Sequence, residues 1–176
     1  MKLHLFGIVG KAYVGKTTIG DHLTANFDYA RVAFADPLKK MLITAGMCTH
    51  EECYGAKTER SRWLMQKVGT EIFRKQVDPL YWVNRCEDEI CRIMGEEKKH
   101  VVVDDVRFPE EAKRIRDLGG VLIKVERIGY TDETAGTTHD SERFVDSIDC
   151  DYTIRAESGD VEKLIRCIEE IIGERP

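Results

Sequence analysis

The sequence lacks several features that would each indicate a particular class of protein. It contains no apolar run of about 18 residues, so no membrane-spanning helix is expected. It has no excess of basic residues, since 27 Lys and Arg accompany 32 Asp and Glu for a net charge of −5. This balance argues against a broad electrostatic footprint for DNA or RNA. Hydrophobic residues make up 42% of the 176 residues, which indicates a globular protein with a core of ordinary size.

A secretory signal and a zinc site are not expected either. The N-terminal segment MKLHLFGIVG has a single Lys and leads directly into a glycine-containing loop, which cleavage of a signal peptide would remove. We therefore predict a cytoplasmic protein. The six cysteines include the spacing Cys48-x-His50-x-x-Cys53, but no second pair completes a zinc site. The cysteines are interpreted mostly as free thiols in a reducing compartment, and Cys86 and Cys91, five apart on a predicted helix, as packing residues.

The most informative stretch is GKAYVGKT, residues 10–17, here called the phosphate loop, which fits the pattern G-x-x-x-x-G-K-[ST]. Gly10 and Gly15 allow the backbone to turn so that N–H groups can surround a phosphate. Lys16 is placed to reach phosphate oxygens, and the Thr17 hydroxyl is placed to ligate Mg²⁺. A glycine turn without a ligand is the simpler alternative. The strand pattern before the loop and the helix pattern after it favour nucleotide binding.

Strand and helix patterns alternate along the chain, which predicts an α/β fold with a mostly parallel sheet covered on both faces. Strands are predicted at residues 3–9, 29–35, 100–104, 121–126 and 151–154. Residues 37–98 read as purely helical, and we interpret them as an insertion within a single domain that spans residues 1–176. The helix predicted over residues 59–75 has an apolar stripe that includes Trp63, and Gly69 is expected to weaken or divide it.

Ligands of open parallel sheets bind beyond the carboxyl ends of the strands. That rule selects Asp36 after the second strand, Asp104, Asp105 and Arg107 after the third, and Arg127 after the fourth. Paired acids suit a water-held Mg²⁺, and an arginine suits phosphate oxygens. The alternative is that the two acids cap the next helix and Arg107 pairs at the surface. Asp36 is also expected to be the N-cap of a helix that begins at Pro37.

Polar residues of the helical insertion form a second candidate group, consisting of Arg60, Arg62, Gln66, Thr70, Arg74 and Trp82. Arg62, Gln66 and either Gly69 or Thr70 fall on one helical face, where a cation and an amide would suit a phosphate and a base. Exposed helix faces are usually charged and Trp usually packs in a core, so spacing alone leaves both interpretations open. The absence of an N-K-x-D sequence makes a GTPase switch less favoured.

In this order, these segments resemble the deoxynucleoside monophosphate kinases of tailed bacteriophages, within the P-loop nucleoside monophosphate kinase superfamily. The resemblance covers most of the chain and depends on GKAYVGKTT, FADPLKKML, RWLMQKVGTEIFR, DPLYWVN, VVVDDVRFPEEAKRIRDLGG, VERIG and HDSE. It implies a three-layer α/β/α P-loop fold. It also implies transfer of the γ-phosphoryl group of ATP, with Mg²⁺, to a deoxynucleoside 5′-monophosphate. If encoded by a bacteriophage, a protein of this kind would act in the host cytoplasm.

The resemblance places Lys39, Arg62, Gln66 and Trp82 in the monophosphate pocket, matches Asp105-x-Arg107 to the family's D-x-R and puts Arg127 near the ATP base. With the residues selected above, the predicted ATP-binding set is Gly10, Lys11, Ala12, Val14, Gly15, Lys16, Thr17, Thr18 and Arg127, with Thr17 at the metal. The predicted acceptor set is Asp36, Lys39, Arg62, Gln66, Thr70, Trp82, Asp105 and Arg107. Lys16, Asp105 and Arg107 are expected to act in catalysis. Two positions depart from many family members, which carry a basic residue in place of Tyr13 and Asp in place of Thr17.

Two other functions stay open at this stage. One is a P-loop kinase for another small phosphorylated acceptor, such as phosphomevalonate, and the other is a non-catalytic ATP-binding module. Closure over both substrates is expected to exclude water, because an open site would hydrolyse ATP. No polymeric nucleic acid or membrane partner is expected. The sequence leaves open the preferred base and the oligomeric state, with a homodimer among the options, and it assigns no chemistry to His139 or Glu142.

Overall fold

The computed structural model describes residues 3–129 and 144–174. The chain divides into two compact units. The first unit comprises the residues up to Ala33 and those from Ile90 onward, and the second unit is Phe34–Glu89. The predicted helical insertion of about residues 37–98 overlaps the second unit. Its assignment as an acceptor-binding part of a single domain stays a prediction.

The first unit is built on a five-stranded parallel sheet with the strand order β2-β3-β1-β4-β5. The strands are β1 (Leu5–Val9), β2 (Tyr29–Val32), β3 (His100–Val106), β4 (Val121–Arg127) and β5 (Tyr152–Ala156). This confirms the predicted parallel sheet. β2 ends before residue 35 because Ala35 already has right-handed helical dihedral angles as the N-cap of the following helix. β3 continues two residues beyond its predicted end at Asp104.

Helices cover both faces of this sheet, which confirms the three-layer α/β/α arrangement. Across both units, the described helices are α1 (Lys16–Asn26), α2 (Asp36–Thr44), α3 (His50–Tyr54), α4 (Glu59–Gln66), α5 (Tyr81–Arg92), α6 (Pro109–Asp117) and α7 (Val161–Gly173), with π-helical segments at Lys67–Val77 and Ile93–Glu97. Those that cover the sheet are α1, α6 and α7 of the first unit. None of these described helices is both long and apolar enough to cross a bilayer.

Alternation along β1 explains the two helical layers, since successive strand residues point to opposite faces. Phe6 and Ile8 join a buried cluster with Ile19 of α1 and Ile168 of α7. On the other face, Gly7 lies against α6, where an added Cβ would be 3.2 Å from a carbon of the Ile115 side chain. Burying each large aliphatic side chain of this kind contributes about 1.5–3 kcal/mol to folding.

The helix predicted over residues 59–75 is present, but its backbone changes from α to π at Lys67. Gly69 lies just after this change and faces the core of the second unit. A Cβ there would be 2.6 Å from Leu38 Cδ2, and the Gly69 carbonyl oxygen accepts a hydrogen bond of 2.9 Å from Trp82 Nε1. The expectation that Gly69 marks an interruption therefore has a packing reason, since the small residue admits Leu38 and Trp82 at close range.

The predicted position of Trp63 in an apolar stripe is wrong. Its side chain is 60% exposed, whereas the adjacent Leu64 is buried. The buried face of α4 is set by Ser61 and Leu64, which are three residues apart and share one side of the helix. Trp63 lies outside that face although its side chain is large and mostly apolar.

Asp104 on β3 is buried and paired with Arg31 on the adjacent strand β2. Arg31 Nη2 lies 2.6 Å from Asp104 Oδ2, and Nη1 lies 2.7 Å from Asp21 Oδ1. The Asp104 side chain is only 4% exposed. The interpretation of Asp104 and Asp105 as two neighbouring acids on a water-held metal therefore fails for Asp104, which stabilises the contact between β2 and β3.

Arg31→Met is expected to lower the free energy of unfolding by about 3 kcal/mol, because it leaves the Asp104 carboxylate buried without its charge partner. Asp21→Asn removes the negative charge from the exposed contact of the same arginine and should change stability by less than about 0.5 kcal/mol. Urea denaturation of both variants measures the difference. Equal stability of Arg31→Met and the unaltered protein would show that the pair does not stabilise the sheet.

Candidate active site

The phosphate loop connects β1 to α1 in a tight turn. Gly15 has a φ of +104°, and Tyr13 has a φ of +60° with its side chain 66% exposed. A Cβ at Gly10 would be 2.7 Å from the carbonyl oxygen of Val125 on β4, so the loop passes β4 with no space for a side chain. Glycine is required at both ends of the loop for these different reasons.

Lys16 folds back over this loop. Its side chain is buried, and its Nζ donates to the carbonyl oxygen of Gly10 at 2.7 Å and to that of Lys11. A phosphate enclosed by the loop would therefore meet a cation that is already largely removed from water, where charge interactions are strong. The first turn of α1 contains no acidic residue, so the positive end of its dipole is not offset there.

Thr17 and Thr18 follow Lys16 in the first turn of α1. Thr17 is exposed and Thr18 is half-buried. An exposed hydroxyl next to a phosphate-binding loop suits Mg²⁺, which takes few protein ligands and keeps several waters. The position of Thr17 is thus compatible with the predicted metal role, which stays a prediction.

The end of β3 lies next to the start of the phosphate loop. Val106 is in register with Val9, the last residue of β1, so Arg107 leaves the sheet beside Gly10. The register also shifts, because Gly7 is opposite Val103 while Val9 is opposite Val106. β3 thus has one extra residue in this interval. Such bulges re-aim side chains and are frequent near active sites, and here the bulge falls in the part of β3 that contains Asp105.

Glu111 fixes the chain that carries Arg107. Its side chain is buried, and its Oε2 accepts hydrogen bonds from the backbone N–H of Arg107 at 2.8 Å and of Phe108 at 3.2 Å. Phe108 is the N-cap of α6, so the alternative that Asp104 and Asp105 cap this helix is wrong. The sequence Pro-Glu-Glu at residues 109–111 could have predicted this contact, because an acidic side chain at the third helical position often accepts a hydrogen bond from the backbone N–H of the N-cap residue.

On the other side of β1, a pocket of about 220 Å³ opens between the phosphate loop and the end of β4. It is lined by Lys11, Val14, Lys124, Val125, Glu126, Arg127, Val145 and Asp146. Lys11 Nζ lies 3.4 Å from Asp146 Oδ2, and Arg127 donates a hydrogen bond to the Ser158 hydroxyl. The structure therefore brings Arg127 to a pocket bordered by the loop. Sequence reasoning missed Asp146 and Ser158 because they come from later segments with no motif of their own.

Two of the predicted acceptor residues meet at the start of α2. Asp36 begins this helix with Ala35 as its N-cap, so the prediction of Asp36 as the cap is wrong. The helix starts one residue early because Ala35 is itself helical, and the carboxylate still lies where the helix dipole favours it. Lys39 Nζ is 3.5 Å from Asp36 Oδ1 and 4.4 Å from the centre of the Tyr54 ring. Tyr54 was not among the predicted residues.

Four further predicted acceptor residues lie elsewhere in the second unit, whereas Asp105 and Arg107 belong to the first. Arg62 and Gln66 are exposed on α4, four residues apart. Thr70 is half-buried in the π segment. A π-helical turn contains more residues than an α-helical turn, so Thr70, four residues after Gln66, does not share its helical face as it would in an α-helix. Gly69 faces the core, as described above. Trp82 is only 4% exposed and donates its indole N–H to Gly69, so it packs within the second unit.

Several expectations concern other parts of the chain. His139 and Glu142 lie outside the described residues. Across residues 3–129 and 144–174, no group of three or more His, Cys, Asp or Glu side chains is arranged to hold a metal ion. Cys48, Cys53 and Cys86 are buried thiols, whereas Cys91 is exposed, so the expectation that it packs in the core is wrong. Burial and the neighbouring Cys48 raise the pKa of the Cys53 thiol above its usual value.

Comparison with known proteins agrees with the family resemblance. The sequence profile of the deoxynucleotide monophosphate kinase family matches residues 57–168. A protein of Acanthamoeba polyphaga mimivirus with a provisional name as a deoxynucleotide monophosphate kinase is 32% identical over 163 residues, which cover 82% of this chain and 83% of that protein.

Solved structures of low sequence identity share the fold alone. A sugar kinase from Janibacter sp. HTCC2649 has a TM-score of 0.56 and 13% identity, with 99% of this chain and 97% of that chain covered. A dephospho-CoA kinase from Campylobacter jejuni has a TM-score of 0.52 and 16% identity, with 98% of each chain covered. From its own sequence matches, this chain belongs to the deoxynucleotide monophosphate kinase family.

Proposed function

We propose that this protein transfers the γ-phosphoryl group of ATP to a deoxynucleoside 5′-monophosphate, which gives the diphosphate and ADP. The observation that supports this most is the compact phosphate loop, in which the Lys16 ammonium is held against the Gly10 carbonyl at 2.7 Å beside the end of β3. Family membership and the name of the mimivirus relative support the choice of acceptor.

The first unit supplies the residues for ATP. Backbone N–H groups of the phosphate loop and of the first turn of α1 surround the phosphates, and Lys16 neutralises their charge. The residues proposed to contact the ATP phosphates are Gly10, Lys11, Ala12, Val14, Gly15, Lys16, Thr17 and Thr18. Arg127, at the pocket beside the loop, is assigned to the base of ATP. Phosphoryl transfer depends on positioning and charge neutralisation rather than on covalent chemistry by the protein.

Magnesium fits the residues of the first unit through the exposed Thr17 hydroxyl. Thr17 would hold the ion directly, and the half-buried Asp105 would contact one of its waters. When bound, Mg²⁺ supplies charge neutralisation at the β- and γ-phosphates. Arg107, whose backbone is fixed by Glu111, is assigned to the migrating phosphoryl group, since a guanidinium matches phosphate oxygens.

The second unit supplies most residues for the acceptor. Lys39 and Arg62 provide cations for the 5′-phosphate, and the exposed Gln66 amide is assigned to the base. Asp36 holds Lys39, and Thr70 offers a hydroxyl from the π segment. Trp82 contributes by shaping the unit, because its N–H already bonds to the Gly69 carbonyl oxygen.

A coupled assay of ADP release with dTMP, dGMP, dCMP and dAMP tests the proposal. We expect turnover of about 1–100 s⁻¹ with at least one of them, in the range typical of kinases, and much slower ATP hydrolysis without an acceptor. Phosphomevalonate serves as the control acceptor. Turnover with phosphomevalonate alone would identify the other kind of kinase, and ATP binding with no transfer to any acceptor would indicate a binding module.

A further inference from the structure

The side chains of Asp36, Lys39 and Tyr54 form one connected group in the second unit. The Lys39 ammonium lies 3.5 Å from an Asp36 carboxylate oxygen and 4.4 Å from the centre of the Tyr54 ring. The Tyr54 hydroxyl in turn donates a hydrogen bond to the Asp36 carboxylate. Each of the three side chains therefore contacts both of the others. Asp36 and Lys39 come from α2, and Tyr54 comes from the short helix α3.

The Tyr54 hydroxyl keeps its proton throughout the neutral range. Partial burial, together with the charge and hydrogen bond of Asp36, raises the pKa of Tyr54 to about 12. The hydroxyl is then a permanent donor to Asp36 under working conditions. The ring is held as well, because the His50 imidazole stacks on it with the ring centres 4.7 Å apart.

Asp36 and Tyr54 hold the Lys39 ammonium in place without occupying all of its N–H donors. A lysine ammonium has three N–H donors. Among residues 3–129 and 144–174, Lys39 directs its charge to one carboxylate and one aromatic face, and its side chain is 15% exposed. A lysine loses much conformational freedom when a ligand immobilises it. One that a ring and a carboxylate already hold loses less, so it binds an anion more tightly.

We propose that Tyr54 is a positioning residue for the acceptor, whose ring and hydroxyl hold Lys39 and Asp36 in the arrangement that binds the 5′-phosphate of the deoxynucleotide. This inference rests on the proposed function, which assigns Lys39 to that phosphate. Tyr54 contacts no reacting atom in this account. Its effect passes through Lys39 and Asp36.

Two variants of Tyr54 separate its ring from its hydroxyl. Tyr54→Phe removes the hydrogen bond to Asp36 and should raise the KM for the monophosphate about fivefold. Tyr54→Leu also removes the ring under Lys39 and should raise it about thirtyfold. The KM for ATP should stay unchanged in both. Tyr81→Phe is the matched control, since this tyrosine of the same unit packs against Phe73 and Trp82 and should leave both KM values unchanged.

A double-mutant cycle distinguishes positioning of Lys39 from general damage to the fold. In a Lys39→Met background, Tyr54→Leu should cause little further rise in the acceptor KM, because the cation that Tyr54 holds is gone. Full additivity of the two changes would overturn the inference, and so would an unchanged acceptor KM in Tyr54→Leu or equal changes in both KM values.

The proposed function and this inference can fail separately. If the unaltered protein turns over no deoxynucleoside monophosphate, the proposed function is wrong and the assignment of Tyr54 is overturned with it. If the unaltered protein is active and both Tyr54 variants match it, only the assignment of Tyr54 is wrong. Should Tyr54→Leu fail to fold, Tyr54→Phe and its control decide the matter.

Discussion

Lys16→Met is expected to lower kcat for phosphoryl transfer by about 10³-fold or more. The Lys16 ammonium lies within the phosphate loop, bonded to the Gly10 carbonyl oxygen at 2.7 Å and to that of Lys11. Methionine fills the same aliphatic path but brings no charge to the phosphates. Because the effect is on the developing charge of the transferred group, kcat should fall more than the affinity for ATP.

Lys113→Met is the matched control for this substitution. Its side chain is 74% exposed on α6 and pairs only with Asp117 among the ion pairs of the described residues, so activity should not change. Thermal unfolding of both variants should give melting temperatures close to that of the unaltered protein. Retention of most activity by a folded Lys16→Met protein would contradict the role of the loop in transfer.

Gly10→Ala is expected to lower the affinity for ATP by at least about tenfold and the free energy of unfolding by about 1–3 kcal/mol. The added Cβ would lie 2.7 Å from the Val125 carbonyl oxygen, and a backbone atom of a central strand cannot move aside as a flexible side chain can. The loop must shift instead, which displaces the N–H groups that surround the phosphates.

Gly95→Ala provides the comparison, since it places the same methyl group in a helical segment where no atom lies within 4 Å of the new Cβ. It should be neutral or stabilise the protein by up to about 1 kcal/mol. Isothermal titration with ATP and urea denaturation measure both effects. Equal ATP affinity in Gly10→Ala and Gly95→Ala would show that the close approach to β4 does not shape the binding site.

The parts of the fold that sequence reasoning predicted correctly are those that local pattern determines. Buried parallel strands read as short apolar runs, as in VLIKVE of β4, glycines mark helix ends, and the Asp36-Pro37 pair marks a helix start. The phosphate loop is recognisable for the same reason, because its function needs a fixed local spacing. The resemblance to a known family depended on the order of several segments, because no single motif apart from the phosphate loop is specific enough to identify the family.

The errors and omissions concern contacts between distant residues. Asp104 and Asp105 are adjacent in sequence, but only the fold shows that Asp104 is buried against Arg31. Trp63 is a residue type that usually packs in a core, but the orientation of α4 about its own axis leaves its side chain exposed. Tyr54 ends the short helix α3, and its link to Lys39 depends on how α3 packs against α2. No periodicity encodes such pairings.

Transfer of ³²P from [γ-³²P]ATP to the acceptor is the decisive measurement for the proposed phosphoryl transfer. The protein is incubated with labelled ATP and the deoxynucleoside monophosphate that gives the highest turnover, and the products are separated by chromatography. We expect the label to appear in the deoxynucleoside diphosphate, with little inorganic phosphate. Label that stays in ATP or appears only as inorganic phosphate would contradict the proposed transfer.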